Sequence, residues 1–350
     1  MNGKKFRIAV LYDVWEGEEE PKLEPQEEPA AQRGRRSRKK KQEKADREEV
    51  FEALEKLGYE PFYYALDGRD QTLVGLAKCG ADLVFNLTES YAGDDTKDMN
   101  VAAYLDLLGL PYTGSNGQGL FLGHDKVLAK KLFAFHGIRS PKFATSYRGV
   151  LDHAHDIEFP LIVKPSAEDG SIGISSSSVV GSVKELMEQT HYIHDEFDSP
   201  VLIEEYIEGR EIYVAILGNK NPEALPLIEL DLSKLPKGTP RIAGEDVKWE
   251  KETQAYKVTK SAPVEDMDEE TVRKVQQTAV AAYQALKLRD YGRIDLRLGK
   301  KDKAYVIEAN PNPWLASSAE FAMAARKSGR NYTQLIGEIV DLARARYAAG

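Results

Sequence analysis

The sequence predicts an α/β unit at its N-terminal end followed by α+β lobes. Three observations carry that expectation. The first third alternates short β-branched apolar runs with helix-spaced segments, which is the pattern of a parallel sheet with flanking helices. Further on, strand-like runs follow one another closely, as at 201–206 and 210–217 or 292–298 and 304–308, which is the pattern of antiparallel sheets. Finally, 350 residues with 42% apolar and 30% charged composition can bury the cores of two or three compact units.

The elements read in order as follows. Residues 6–12 (FRIAVLY) form a short, buried first strand. Residues 16–28 are acidic and contain prolines, and 33–41 (RGRRSRKKK) are strongly basic. So few apolar residues cannot offset the entropy of ordering, and 16–49 is expected to be a charged, flexible insertion. The basic run could touch RNA or an acidic partner; a solvated loop is the simpler reading. Val50, Phe51, Leu54 and Leu57 then recur at helical spacing, with Gly58 as the stop. A strand at 60–65, a helix at 71–79, a strand at 81–87 and a helix near 100–108 complete a first unit, 1–120. A central unit, 121–205, opens with a helix at 125–136. It continues through a strand at 160–164 (PLIVK), a small-residue loop at 165–173 (PSAEDGSIG), a helix at 183–194 and a strand at 201–206. The C-terminal unit, 206–350, holds a strand at 210–217, an irregular stretch around Lys248 and a long helix at 269–286. Strands at 292–298 and 304–308 and a closing helix near 331–343 follow.

Several classes of function are disfavoured. No apolar run approaches the ~20 residues needed to cross a bilayer. Residues 1–10 lack the apolar stretch and cleavage site of a signal peptide. A single cysteine, Cys79, forms no disulfide within the chain, and a cytoplasmic location is expected. The net charge of −9 argues against a general nucleic-acid surface. The six histidines have no zinc-ligand spacing, and no GxSxG, HExxH or GxxxxGK[ST] motif occurs.

The residues that could carry chemistry cluster near the C-terminal end. Arg293 and Asp295 lie two apart on one strand, and Glu308 and Asn310 two apart on the next. Strand side chains alternate faces, so if the strands are hairpin neighbours all four polar groups share one face amid apolar sequence. Mg²⁺ takes one or two carboxylates with amide, phosphate and water oxygens, which Asp295, Glu308 and Asn310 would leave room for. Arg293 could neutralise a developing oxyanion or phosphoryl charge. An ordinary hairpin with a solvated polar face is the alternative. Lys164 ends an apolar strand and runs into Asp169, Gly170, Ser171, Ile172 and Gly173, where backbone N–H groups can close on phosphate. Lys126 sits at a helix start, where an anion is favoured. Glu204, Glu205, Tyr206 and Ile207, with Glu211 just beyond, leave a buried strand at a bend that could meet an adenine edge and ribose hydroxyls.

Taken in this order, the motifs resemble the ATP-grasp enzymes, and within them the D-alanine–D-alanine ligase family. Supporting stretches are 108–115 (LGLPYTGS), 124–126 (HDK), 162–166 (IVKPS) and 291–295 (YGRID), and the similarity spans the chain outside 16–49. The resemblance implies an N-terminal Rossmann-like domain and two α+β lobes clasping ATP. It implies that Lys126 and Lys164 contact phosphates, that Lys248 reaches the terminal phosphate and that Glu204 meets the adenine amino group. Glu205, Tyr206 and Ile207 would line the base and Glu211 would hold the ribose. Asp295, Glu308 and Asn310 would bind two Mg²⁺ ions (Mn²⁺ is an alternative), with Glu308 bridging, and Arg293 would stabilise a tetrahedral intermediate. The implied partners are amino-acid substrates and a second copy in a homodimer, with an expected link to peptidoglycan biosynthesis.

The amino-acid pocket departs from the family pattern. The family has a glutamate after the first strand, and here that position falls where the charged insertion begins. Its glycine-loop serine reads Gly170, with Ser171 beside it, and its tyrosine after the lysine reads Trp249. Where the family grips the second substrate's carboxylate with a glycine and a serine, this chain has Trp314 and Ala319 followed by Glu320. An acidic side chain there repels a carboxylate and favours an amine. The expected activity is therefore a carboxylate–amine ligase acting through an acyl-phosphate. Two alternatives stand beside it: a ligase whose substrates are unrelated to D-alanine, and a non-catalytic nucleotide-binding scaffold that uses 33–41 to hold a partner.

Overall fold

A computed structural model describes residues 5–14, 45–147, 150–153, 156–166, 171–248 and 253–348. The bulk of the charged segment, 15–44, lies outside these; its last residues, Asp46 to Glu49, belong to a helix.

The N-terminal unit contains β1 (Arg7–Asp13), α1 (Asp46–Lys56), β2 (Glu60–Leu66), α2 (Asp70–Gly75), β3 (Leu83–Asn86), α3 (Asp98–Leu108) and α4 (Gly117–His124). Its three strands are parallel in the order β2-β1-β3, with Ile8 paired to both Pro61 and Leu83. The period-two alternation of β1 sorts its residues between two cores. Ala9 and Leu11 pack with Val101, Ala102 and Leu105 of α3, while Ile8 and Val10 pack with Val50 and Leu54 of α1. The helix expected at 71–79 is shorter. The Tyr64 hydroxyl donates to the Thr72 carbonyl at 2.7 Å, and the Leu76 N–H turns to the Leu73 carbonyl instead, so a 3₁₀ turn replaces the last α-helical turn.

The central unit follows with α5 (Lys126–Phe135), β4 (Phe143–Tyr147), β5 (Val150–His153), β6 (Leu161–Pro165), β7 (Val179–Val180), α6 (Val183–Phe197) and β8 (Val201–Glu205). Its five-stranded antiparallel sheet has the order β5-β4-β8-β6-β7. Ile193 of α6, with Leu186 and Phe197, covers Leu161, Val163, Val201 and Ile203. Strands β4 and β5 escape the sequence reading because FATSY mixes apolar and polar residues and β5 is an edge.

The C-terminal unit contains β9 (Arg210–Leu217), β10 (Glu223–Ala224), β11 (Ile228–Asp231), α7 (Glu245–Lys248), α8 (Gln254–Val258) and β12 (Lys260–Pro263). It continues with α9 (Glu269–Ala285), β13 (Tyr291–Gly299), β14 (Lys303–Asn310), α10 (Glu320–Lys327) and α11 (Tyr332–Ala348). Its sheet runs β12-β11-β9-β13-β14, with β10 on β9. One face is covered by α9 and also by α5, whose Ala129 and Phe133 join Val275, Ala279 and Tyr283. The other face shares a core with α10, α11 and the N-terminal sheet. Helix α5 therefore precedes the central sheet in sequence but rests on the C-terminal one.

Candidate active site

The hairpin expected from the sequence is present. β13 and β14 are antiparallel neighbours, with Arg293 opposite Asn310 and Asp295 opposite Glu308, and the register shifts just after Asp295. Of the polar side chains of β13, Asp295 and Arg297 are buried, and Arg293 is largely so. Arg293 donates two hydrogen bonds to the two oxygens of Asp295, at 2.7 and 2.9 Å, a bidentate pair that fixes both groups. Its guanidinium also lies 4.8 Å over the Tyr213 ring and 3.8 Å from Glu320. Burial pushes the Asp295 carboxyl above its ordinary value; Arg293 opposes this and the facing Glu308 adds to it. Lys126 Nζ stands 3.7 Å from Glu308, and the buried Asn310 amide nitrogen has no hydrogen-bond partner among the described residues.

Lys164, on β6, meets Glu204, on β8, at 2.5 Å. The second oxygen of Glu204 pairs with Lys130, which the sequence reading did not single out. A lysine one turn after Lys126 on the same helix face was the available signal. Glu205 accepts from the Lys142 N–H at 3.1 Å. The Tyr206 N–H donates to the Pro160 carbonyl at 3.1 Å, and its hydroxyl accepts from the Arg241 N–H at 2.8 Å. Ile207 occupies the bend before β9 and packs against Gly299. Glu211 pairs with Arg297 at 2.7 Å and accepts from the Tyr213 hydroxyl at 3.2 Å.

The glycine loop and α7 hold each other. The Gly173 N–H donates to the Glu245 carboxylate at 2.7 Å, and the Glu245 N–H donates to the Ile174 carbonyl at 3.0 Å. This brings Ser171, at φ +70°, into the same region as Lys248, the last residue of α7. Gly170 and Trp249 lie outside the described residues.

A cleft of about 1040 Å³ opens over the hairpin, lined among others by Ser166, Tyr213, Lys248, Arg293, Glu308, Asn310, Trp314 and Glu320. Trp314 is 50% exposed at its wall. Glu320 begins α10 and accepts from the Ser261 hydroxyl at 2.8 Å, so its carboxylate is held beside Arg293. Asn312 accepts from the Tyr291 hydroxyl at 2.7 Å and donates to the Thr88 carbonyl at 3.0 Å, tying the chain after β14 to the N-terminal unit. Ser261 and Asn312 carry no local motif, and only the tertiary contacts reveal them.

Among the described residues no group of three or more His, Cys, Asp or Glu side chains could hold a metal by itself. Two carboxylates and an amide suit a cation that takes its remaining ligands from phosphate and water. The ring nitrogens of His191 and His194 lie 2.9 and 3.4 Å from the backbone carbonyls of Met187 and Ser146.

Residues 131–341 match the family described as D-ala D-ala ligase C-terminus. The chain belongs to the D-alanine–D-alanine ligase family. A D-alanine–D-alanine ligase of Bordetella petrii is 33% identical over 300 residues, covering 83% of this chain and 84% of the relative. A protein of Sinorhizobium fredii without a described activity is 35% identical over 266 residues, covering 76% of this chain and 75% of its own length. In fold, the chain is similar to the crystal structure of a Bacillus anthracis D-alanine–D-alanine ligase complexed with ATP, at a TM-score of 0.70 and 23% identity, covering 99% of this chain and 100% of that one. The fold is thus ATP-grasp, and the chain is an ATP-dependent ligase that forms a C–N bond. A scaffold that only binds nucleotide is not favoured. Among the described residues no helix is long and apolar enough to cross a membrane.

Proposed function

We propose that the ligase activates a carboxylate as an acyl-phosphate and joins it to an amine, with the β13–β14 hairpin as the reacting end of the cleft. The observation that carries this reading is the hairpin that brings Arg293, Asp295, Glu308 and Asn310 together at the cleft, with Lys126 beside Glu308. The nucleotide would lie between the units 121–205 and 206–350, behind an N-terminal unit 1–120. Lys126, Lys164 and Lys248 would meet its phosphates, Glu204 to Ile207 its base and Glu211 its ribose. Asp295, Glu308 and Asn310 would hold Mg²⁺, or Mn²⁺, with two ions expected. When bound, the metal neutralises phosphate charge and aligns the γ-phosphoryl group.

A carboxylate oxygen of the first substrate attacks the γ-phosphorus and the P–O bond to ADP breaks. The amine then attacks the acyl carbon, and the resulting oxyanion lies where the Arg293 guanidinium can stabilise it. Phosphate leaves with the C–O electron pair and the amine gives up a proton. Positioning and charge neutralisation suffice for this, so no side chain need act as a nucleophile. Ser171 and Lys248 would help close the site. A homodimer in the cytoplasm belongs to the same reading.

D-alanine is the substrate after which the relatives are named. A different acceptor is favoured by Glu320, whose carboxylate stands in the cleft beside Trp314 and would repel the carboxylate of an amino acid. ADP release, measured with Mg²⁺ across a panel of D- and L-amino acids and simple amines with mass detection of product, tests both points. Release that depends on an added acceptor supports the ligase; no stimulation by any member overturns it. Glu308→Ala is expected to abolish metal-dependent ATP turnover, and an active variant would refute the metal assignment.

A further inference from the structure

Helix α5 carries Lys126 and Lys130 one turn apart, and only Lys126 has a place in the reaction above. Lys130 is the more enclosed: its side chain and that of Glu204 are each 1% exposed, and Lys164 is 4% exposed. Lys130 Nζ pairs with one oxygen of Glu204 while Lys164 Nζ sits 2.5 Å from the other. Two ammonium groups therefore share one carboxylate inside the protein. A buried pair is neutral, but this cluster has one positive charge in surplus, and burial penalises uncompensated charge. Burial accordingly pushes the Lys130 ammonium down, and Lys130 and Lys164 hold the Glu204 carboxyl down against the opposing effect of burial.

The three groups come from different parts of the fold. Ala129 and Phe133 fix α5 to the core under the C-terminal sheet. Glu204 and Lys164 belong to adjacent strands of the central sheet, where Ile162 faces Glu204 and Leu202 faces Lys164, a diagonal that puts the two on one face. Lys130 reaches from the first of these bodies to the second.

We propose that Lys130 is the resident counter-ion of Glu204, a positioning residue that releases Lys164 to the phosphates of the nucleotide. The inference rests on the reading of Lys164 and Glu204 as nucleotide-binding groups. With Lys164 as its sole partner, Glu204 would be left as an unpaired buried carboxylate whenever Lys164 turned to a phosphate, so the pair would resist opening. With Lys130 in place, Lys164 is the surplus cation. An incoming polyphosphate neutralises it while Glu204 stays paired and oriented toward the base. Lys130 touches no substrate and acts through Glu204.

Equilibrium binding of Mg²⁺·AMP-PNP, followed by titration calorimetry on the full chain, tests this. Lys130→Met is expected to weaken binding ~10- to 100-fold by trapping Lys164 on Glu204, and Lys130→Arg to restore most of it. In a Glu204→Gln background, where no carboxylate is left to trap Lys164, adding Lys130→Met should change binding by less than about threefold. Equal losses in both backgrounds, or wild-type binding by Lys130→Met, would overturn the proposal. Lys130→Gln carries the same expectation if Lys130→Met does not fold. Failure of the wild-type chain itself to bind AMP-PNP would instead overturn the nucleotide-site reading beneath it.

Discussion

Replacing Gly173 with alanine tests the contact between the glycine loop and α7. Gly173 has φ +72°, and a Cβ built on it would lie 2.9 Å from Pro165 Cγ and 3.0 Å from the Phe197 ring. The left-handed conformation costs a residue with a Cβ roughly 1–2 kcal/mol. Crowding against a packed proline and phenylalanine adds about 1–3 kcal/mol. The reduced entropy of the unfolded chain returns only about 0.4–1 kcal/mol. The net strain, about 1–5 kcal/mol, is of the same size as the about 1.5–3 kcal/mol that the hydrogen bond from Gly173 N–H to its charged acceptor Glu245 contributes, so this contact is the part that the strain can open. The loop should therefore leave α7 rather than unfold the chain. Calorimetric melting is expected to fall by only a few degrees, about 2–4 °C per kcal/mol in a large domain and less where the loop yields alone. Affinity for Mg²⁺·AMP-PNP is expected to fall about tenfold or more, because Lys248 and the loop lose their mutual support. Unchanged melting together with affinity within about twofold of wild type would refute the argument.

Other perturbations give distinct outcomes. Arg293→Ala should reduce acceptor-dependent product formation by ~10²–10³-fold. It should also destabilise the fold by about 3–5 kcal/mol in urea unfolding, because Asp295, 3% exposed, is left without its bidentate partner. Glu320→Gln removes a charge and keeps an acceptor for Ser261; KM for the amine is expected to change while KM for ATP does not, and a change in ATP alone would place Glu320 outside the acceptor pocket. At Asp67, the hydrogen bond from Arg69, with those from Thr72 and the Arg69 N–H, holds the carboxyl down to about 2. Its folded value is depressed, so the stabilisation is present above the unfolded value of 3.8 and is lost as pH falls through about 2. Arg69 is largely exposed and solvent screens the pair, so Asp67→Asn should cost no more than ~1 kcal/mol at neutral pH. Urea unfolding should show that gap closing in acid; a gap that widens would contradict the assignment.

The hairpin bearing Arg293, Asp295, Glu308 and Asn310 was legible because strand alternation is strict and a short connection makes neighbouring strands pair. The parallel arrangement of β1, β2 and β3 was legible for a similar reason, since helix-spaced segments separate apolar runs. α10 was not, because its sequence (EFAMAARK) is short and follows an irregular stretch. Strands β4 and β5 lack an apolar run, and α2 ends early because the Tyr64 hydroxyl, from another element, takes the Thr72 carbonyl.

Local periodicity and residue chemistry thus determined the elements that carry the site and the metal and phosphate chemistry it suits, because both depend on side chains within the same or adjoining elements. The tertiary structure alone decided which charges become partners. Lys130 reads as an ordinary helix lysine until α5 is docked on the C-terminal sheet and Glu204 arrives on the central one. Glu320 is singled out in the sequence only through the family resemblance, and its partners Ser261 and Arg293 emerge only when they come to flank it in the cleft. Charge pairing acts over ångströms in space with no regard to distance along the chain, so burial and docking set the electrostatics of this ligase.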